Sequence, residues 1–140
     1  MYPKAFLLVC LYFLAGCLNT RNIPEAKCRL FRTGNFIQNE YNESGLGHWK
    51  KMSFLIYRND SSEFIISKTN ILPDDSSYYK IKWLSSCSYE QIYVSSNNKW
   101  VDSLVRAKLL TEKETYFIIK ATEKYCIQKH NGAKDTLWIR

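Results

Sequence analysis

The sequence predicts an all-β protein, an antiparallel meander of about eight strands that follows an N-terminal export segment. The clearest strand is 79–83, in which two lysines alternate with Tyr79, Ile81 and Trp83. This period of two places aromatic bulk on one face and charge on the other. Turn signals recur at short intervals, and the Asn-Gly pair at 131–132 is the strongest, because both residues tolerate the positive φ angles of a tight hairpin.

The first element along the chain is the export segment. Lys4 supplies a positive start, residues 5–14 form an unbroken apolar run, and two small residues precede Cys17. This is the layout of a signal peptide. A membrane-spanning helix needs about 20 apolar residues, so the run is too short to remain as an anchor. We therefore predict that residues 1–16 are a signal peptide.

The motif Leu14-Ala15-Gly16-Cys17 resembles the lipobox of bacterial lipoproteins. The resemblance implies cleavage before Cys17 and acylation of its thiol and its new amino group, with palmitate among the expected chains. Several acyl chains make anchoring stable. Because position 18 is not aspartate and no acidic cluster follows, the outer membrane, on its periplasmic face, is the expected location. An ordinary signal peptide with an incidental cysteine is the alternative.

Composition indicates one compact domain. Removing 16 of the 140 residues leaves 124 and, without Lys4, lowers the formal net charge from +7 to +6. A chain of that length can bury a real core. Basic residues are scattered among acids without runs of like charge, so solubility beside an acidic envelope explains them and no nucleic-acid partner is expected. The predicted organisation is a lipidated tether at 17–27 and a single β-domain at 28–140.

The cysteines fit an exported protein. Cys28, Cys87 and Cys126 remain after the export segment and Cys17 are set aside. An odd number permits one disulfide and one free thiol, and an oxidising compartment favours the bond. Cys28 to Cys87 is the preferred pairing, although three buried thiols are the alternative.

Nine segments of the domain carry strand patterns, and short turns such as those at 59–60, 73–75 and 97–98 separate them. Of these, 104–110 competes with an amphipathic helix within 102–113, and we predict a strand. Several strands are apolar on both faces, for example 54–57 and 117–119, which favours closure into a small, lipocalin-like barrel or a strongly curved sheet. The nine segments are 29–36, 51–58, 63–69, 79–83, 89–95, 104–110, 115–122, 124–129 and 136–140.

Four short motifs are spread over most of the domain: Cys28-x-x-Phe31-x-Thr33-Gly34-x-Phe36, Arg58-Asn59-Asp60, Trp83-x-x-x-Cys87-x-Tyr89 and Asp135-Thr136-Leu137-Trp138. Together they resemble a family of short, uncharacterised bacterial lipoproteins, often labelled automatically as DNA topoisomerase IV. The resemblance implies structural roles: Gly34 in a strand kink, Asn59-Asp60 in a turn and Trp83 in the core. A topoisomerase needs nucleotide-binding, metal-binding and strand-cleaving parts that 124 residues cannot house.

Catalytic motifs are missing from the sequence. It has two histidines, His48 and His130, and neither stands at a spacing that defines a metal or acid-base site, so both are predicted to be solvated loop residues. No nucleophile elbow, zinc motif or phosphate loop occurs. We therefore predict a protein that is not an enzyme and has no cofactor or metal.

Aromatic residues carry the main functional hint. Tyr79, Trp83, Tyr89 and Tyr116 could line a cavity, because an eight-stranded barrel has room for packed side chains or one small ligand; core filling is the favoured alternative. Three functions follow as hypotheses. The first is a lipid-anchored envelope protein acting as a binding or interaction domain, the second a carrier of a small apolar ligand, and the third an immunity or inhibitor lipoprotein.

Overall fold

A computed structural model describes residues 23–40, 52–69 and 73–140 and shows a closed barrel of eight antiparallel strands. Each strand pairs with the next along the chain, and β1 pairs with β8 to close the barrel. The predicted all-β meander is therefore confirmed. The predicted signal peptide, Cys17 and His48 lie outside the described residues. The strands are β1 (Gly34–Glu40), β2 (Met52–Arg58), β3 (Ser62–Thr69), β4 (Asp75–Ser85), β5 (Ser88–Ser96), β6 (Lys113–Ala121), β7 (Tyr125–His130) and β8 (Ala133–Ile139).

The strand bounds follow the local patterns closely in most of the barrel. In β4, Ile81 is buried and the lysines on either side of it are exposed. The hairpin between β7 and β8 turns at Asn131 and Gly132, whose φ angles are 43° and 84°. Asn59 makes another turn, where its side-chain oxygen accepts hydrogen bonds from the backbone N–H groups of Ser61 and Ser62. Both turns were predicted from residues that favour these conformations.

Two helices correct the sequence-based assignment. α1 (Glu25–Arg29) and the turn after it fill the region predicted as tether and early strand, so β1 begins at Gly34 rather than at 29. α2 (Lys99–Arg106) replaces the predicted strand 104–110. The Asn98 side chain accepts hydrogen bonds from two backbone N–H groups of the first turn of α2, which is the action of a helix N-cap. Neither helix, within the part of the chain that the structure describes, is long and apolar enough to cross a membrane.

The core fills the end of the barrel next to α1. Cys28, Phe31, Phe36 and Leu137 are fully or almost fully buried there. Cys28 of α1 is bonded to Cys87 of the β4–β5 turn, with the two Cα atoms 5.1 Å apart, and Cys126 is a buried free thiol. The predicted pairing is confirmed, and it pins α1 over this end. We call the end of the barrel next to α1 the sealed end.

Candidate functional site

A cavity of about 350 Å³ occupies the opposite end of the barrel, which we call the cavity end. All eight strands contribute side chains to its wall, and α2 with the chain that follows it borders the mouth. Its volume lies within the range of small-molecule sites, roughly 300–1,000 Å³. The barrel therefore has a filled half and a half with room for a ligand.

Buried polar groups separate the two halves. The Arg58 guanidinium forms an ion pair with Glu63, and its other nitrogens donate to the Phe31 carbonyl at 2.9 Å and the Tyr89 hydroxyl at 2.8 Å. Gln91 donates to the second oxygen of Glu63 at 2.5 Å. Both Glu63 and Gln91 also border the cavity. The cavity floor is thus a hydrogen-bonded polar layer, as burial of such groups requires.

Burial and neighbouring charges hold Arg58 and Tyr89 of this layer each in one protonation state. Burial acts to lower the pKa of Arg58, but Glu63 and Tyr89 outweigh it and leave the pKa raised. Burial raises the pKa of Tyr89, and its hydroxyl donates to Gln128 at 2.8 Å. The guanidinium stays charged and the phenol neutral, which suits a structural network better than an acid-base centre.

One wall of the cavity, on β6, β7 and β8, is acidic. The His130 ring lies between two carboxylates: its Nε2 is 2.7 Å from Asp135 and its Nδ1 is 3.2 Å from Glu114. The Nδ1 contact is close but is not aligned as a hydrogen bond. His130 stacks on Tyr116 with ring centroids 4.5 Å apart, and the Tyr116 hydroxyl donates to Glu114 at 2.9 Å. His130 ends β7 and is largely buried, so the expectation of a solvated loop histidine was wrong.

The wall facing it is apolar. Phe54 and Ile56 of β2 and Ile65 of β3 border the cavity, and β2 and β3 lie four strands away from β6 and β7 in the closed ring. Val101 and Val105 of α2 extend the apolar lining at the mouth. The cavity consequently offers one face to a hydrocarbon group and another to a polar or positively charged group.

α2 is held to the barrel by few contacts. None of its residues is buried, and its main polar link is the Tyr93 hydroxyl, which donates to Asp102 at 2.7 Å. Burial, with help from Asp102, raises the pKa of Tyr93 to about 12. The hydrogen bond from Tyr93, assisted by Arg106, lowers the pKa of Asp102.

The four aromatic residues selected from the sequence divide between the two halves. Tyr79 and Tyr116 border the cavity. Tyr89 is fully buried in the polar layer, and Trp83 packs against it with ring centroids 4.9 Å apart, so neither of these two borders the cavity. Core filling therefore describes Trp83 and Tyr89, and the cavity hypothesis describes Tyr79 and Tyr116.

Sequence reasoning missed the charged groups of the wall. Glu63, Glu114 and Asp135 each stand two residues before an inward-facing apolar side chain of the same strand. A carboxylate in phase with the apolar face of a strand is the signal that could have identified them.

An outer groove and the described His, Cys, Asp and Glu side chains were the other places where a ligand or metal site could lie. A larger, open groove of about 520 Å³ runs along the outside of β6 and β7 past Phe117 and Ile119, but it lies on the convex wall, whereas the interior cavity is enclosed by strands. Within the described residues, no group of three or more His, Cys, Asp and Glu side chains is placed to hold a metal ion. The interior cavity is the better candidate.

Comparison with known proteins supports the fold. A crystal structure of an uncharacterised protein from Bacteroides eggerthii aligns with a TM-score of 0.52 and 14% sequence identity, over 78% of this chain and 99% of that chain. At this identity the likeness shows the fold alone. No protein-family model matches the sequence, and no curated protein matches it. The resemblance to bacterial lipoproteins stays a prediction.

Proposed function

We propose that this protein is a lipid-anchored binding protein of the cell envelope, held by Cys17 to the periplasmic face of the outer membrane. The lipobox-like sequence before Cys17 supports the anchor. The Cys28–Cys87 disulfide supports an oxidising compartment, because such bonds are rare where thiols are kept reduced. The proposed activity is binding, without a chemical step.

The proposed ligand is a small amphipathic molecule with a positively charged amine. The observation that carries this proposal is the two-sided cavity, with Phe54 and Ile65 on one wall and Glu114 and Asp135 on the other. The apolar wall favours a short hydrocarbon chain. These two carboxylates have a single imidazole, that of His130, between them, so the wall carries more negative than positive charge. Such a wall attracts an ammonium group and repels a carboxylate. This modifies the expectation of a purely apolar ligand.

Three probes with one tail and different heads test the proposal: octylamine, octanol and octanoate. We expect octylamine to bind most tightly and octanoate most weakly, with a ratio of dissociation constants of about tenfold or more, equal to about 1.4 kcal/mol. Isothermal titration calorimetry on the purified protein measures the three constants. Equal affinities would leave only an apolar site, and tighter binding of octanoate would contradict the proposal.

Matched variants locate the site. Glu114→Gln and Asp135→Asn each remove one wall charge and should weaken octylamine more than octanol. Asp60→Asn removes an exposed carboxylate at the sealed end, in the β2–β3 turn, and should change neither affinity. Equal loss in all three variants would show a general effect of net charge instead of a site at the cavity wall.

A further inference from the structure

Within the described residues, closure of the barrel leaves a second apolar surface exposed. The inner faces of the strands form the core and the cavity, yet β2 carries Leu55 and Tyr57 on its outer face, between the inward residues Phe54, Ile56 and Arg58. Closure accounts for the inner side chains alone. The outer ones need a separate explanation.

These outer side chains are continuous across several strands. Trp138 of β8 pairs with Ile37 of β1, Ile37 pairs with Leu55 of β2, and Leu55 pairs with Ile66 of β3. In the adjoining row Tyr57 pairs with Phe64. Cross-strand partners have Cβ atoms about 5 Å apart, so these six residues form one apolar band on the outside of the barrel, which we call the outer band.

The outer band is comparable in area to the largest apolar patch of a typical monomer, about 300–600 Å², and such a patch is often functional. Trp138 is 46% exposed, Tyr57 37%, Phe64 38% and the neighbouring Tyr78 38%. With about 200 Å² for a whole aromatic side chain, these four expose roughly 300 Å² before the aliphatic residues are added. Contiguous apolar patches larger than a few hundred Å² mark interaction surfaces.

The exposed carboxylates beside the strands of the outer band, Asp60 and Asp74, each lie close to a basic side chain, at 3.8 Å from Arg32 and 3.4 Å from Lys68. Glu63, Glu114 and Asp135 point into the barrel. Exposed lysines flank the outer band: Lys80 stands two residues after Tyr78, and Lys134 lies on β8. The outward strand carboxylate of Glu90, far from the band on β5, is already paired with Lys113 at 2.6 Å.

We propose that the outer band docks the barrel sideways on an anionic lipid surface. Charge complementarity favours this occupant, because lysines attract anionic headgroups and can keep their ammonium groups in water while their stems cover apolar surface. Exposed Trp and Tyr side chains suit the boundary between headgroups and acyl chains. Two copies of the band would bring like charges together, and protein interfaces are depleted in lysine. The inference is independent of the cavity and of Cys17.

Vesicle binding by an unlipidated chain tests the proposal. Residues 17–140 with Cys17→Ser retain every strand of the closed barrel. This chain should sediment with vesicles of phosphatidylcholine and phosphatidylglycerol in equal parts, at least about tenfold more strongly than with phosphatidylcholine alone, and less at high salt. Brominated lipid should quench its tryptophan fluorescence, and Trp138→Phe should remove most of that quenching.

Two double variants compare the outer band with the cavity end. Trp138→Ser with Phe64→Ser should lower vesicle binding by about tenfold, whereas Trp100→Ser with Leu109→Ser, at positions 69% and 72% exposed on and after α2, should leave it unchanged. Near-ultraviolet circular dichroism checks that both fold. If the first does not fold, Lys80→Gln with Lys134→Gln replaces it, with Lys99→Gln and Lys108→Gln as its control.

Three outcomes would overturn the proposal. One is no binding to either kind of vesicle, which would leave the band to a protein partner. Another is a concentration-dependent dimer that Trp138→Ser with Phe64→Ser abolishes, which would assign the band to a second copy. The last is equal loss of binding in the two double variants.

Discussion

The two ends of the barrel differ in packing, in covalent cross-linking and in the space that they enclose. At the sealed end, Cys28 and Phe31 are fully buried, and a disulfide joins α1 to the β4–β5 turn. At the cavity end, α2 has no buried residue and borders an open space. This contrast teaches that close packing and room for a ligand are divided between different halves of one sheet. A site with unfilled volume and paired charges can be tolerated because the other half is closely packed.

The largest expected effect comes from breaking the buried ion pair above the sealed end. Arg58→Met leaves Glu63 buried without its charged partner and should lower the free energy of unfolding by about 3–5 kcal/mol, measured by urea denaturation. Glu114→Gln at the cavity end should cost about 1 kcal/mol or less, because its partners are partly hydrated. Adding Glu63→Leu to Arg58→Met should recover much of the loss. Similar losses for Arg58→Met and Glu114→Gln would break the contrast between the ends.

Loss of the disulfide is expected to be the next largest effect. Replacing Cys28 and Cys87 by alanine frees a link with a sequence separation of 59, and the loop-entropy model gives a loss of about 4 kcal/mol. Thermal unfolding with and without reductant measures the same change in the unaltered protein. Cys126→Ala is the control for cysteine chemistry at a buried position. If reductant leaves the melting temperature unchanged, α1 is held by packing alone.

Two glycines compare backbone strain at the two ends. Gly34 at the sealed end has φ 142°, and a Cβ there would lie 3.3 Å from the Phe36 ring; Gly132 at the cavity end has φ 84° and open space around it. Gly34→Ala should cost about 1–3 kcal/mol from strain, with crowding in addition. Gly132→Ala carries strain without crowding and should cost less. Urea denaturation measures the free energy of unfolding of both variants. An equal or larger loss in Gly132→Ala would contradict this order.

The smallest effect concerns the link between α2 and the barrel. Tyr93→Phe removes its hydrogen bond to Asp102 and should cost about 0.5–1.5 kcal/mol near neutral pH. The pKa of Tyr93 is raised to about 12 from 10.0, so its contribution is complete below pH 10 and is lost as pH rises toward 12. The pKa of Asp102 is lowered from 3.8. The contribution of its carboxylate to stability is therefore present above pH 3.8 and is lost as pH falls through the lowered pKa.

Thermal unfolding of both proteins across pH measures this window. The difference in stability between the unaltered protein and Tyr93→Phe should be greatest between about pH 4 and pH 10, and should shrink on either side. Other tyrosines titrate equally in both proteins and cancel in the difference. A difference that is constant across pH would mean that Tyr93 acts through packing and not through its hydroxyl.

Much of the fold was predictable because its determinants are local. Alternation in β4 and the Asn131-Gly132 turn depend on residues that are adjacent in the chain. The errors also have local causes: the apolar residues at 104–110 fit a strand or a helix, and the Asn98 cap decides for the helix. The core-filling role of Trp83, expected from the family resemblance, agrees with its packing against Tyr89.

The candidate site was less predictable because its members meet across the barrel. Tyr79 and Tyr116 were selected as aromatics and border the cavity. His130 stands beside the Asn131-Gly132 turn and was predicted to be a loop residue, yet the pairing of β7 with β6 and β8 places it between Glu114 and Asp135. The sequence pattern of one strand does not predict which residues of other strands lie beside its side chains.

By itself the sequence determined a meander of β-strands and the positions of its tight turns, because these depend on side-chain alternation and backbone preferences over a few residues. Only the tertiary structure decided which face of each strand is inside, that Glu63, Glu114 and Asp135 point into the barrel, and that one end is filled while the other contains a cavity. Those properties depend on the register at which eight strands close, and register is a relation between distant parts of the chain.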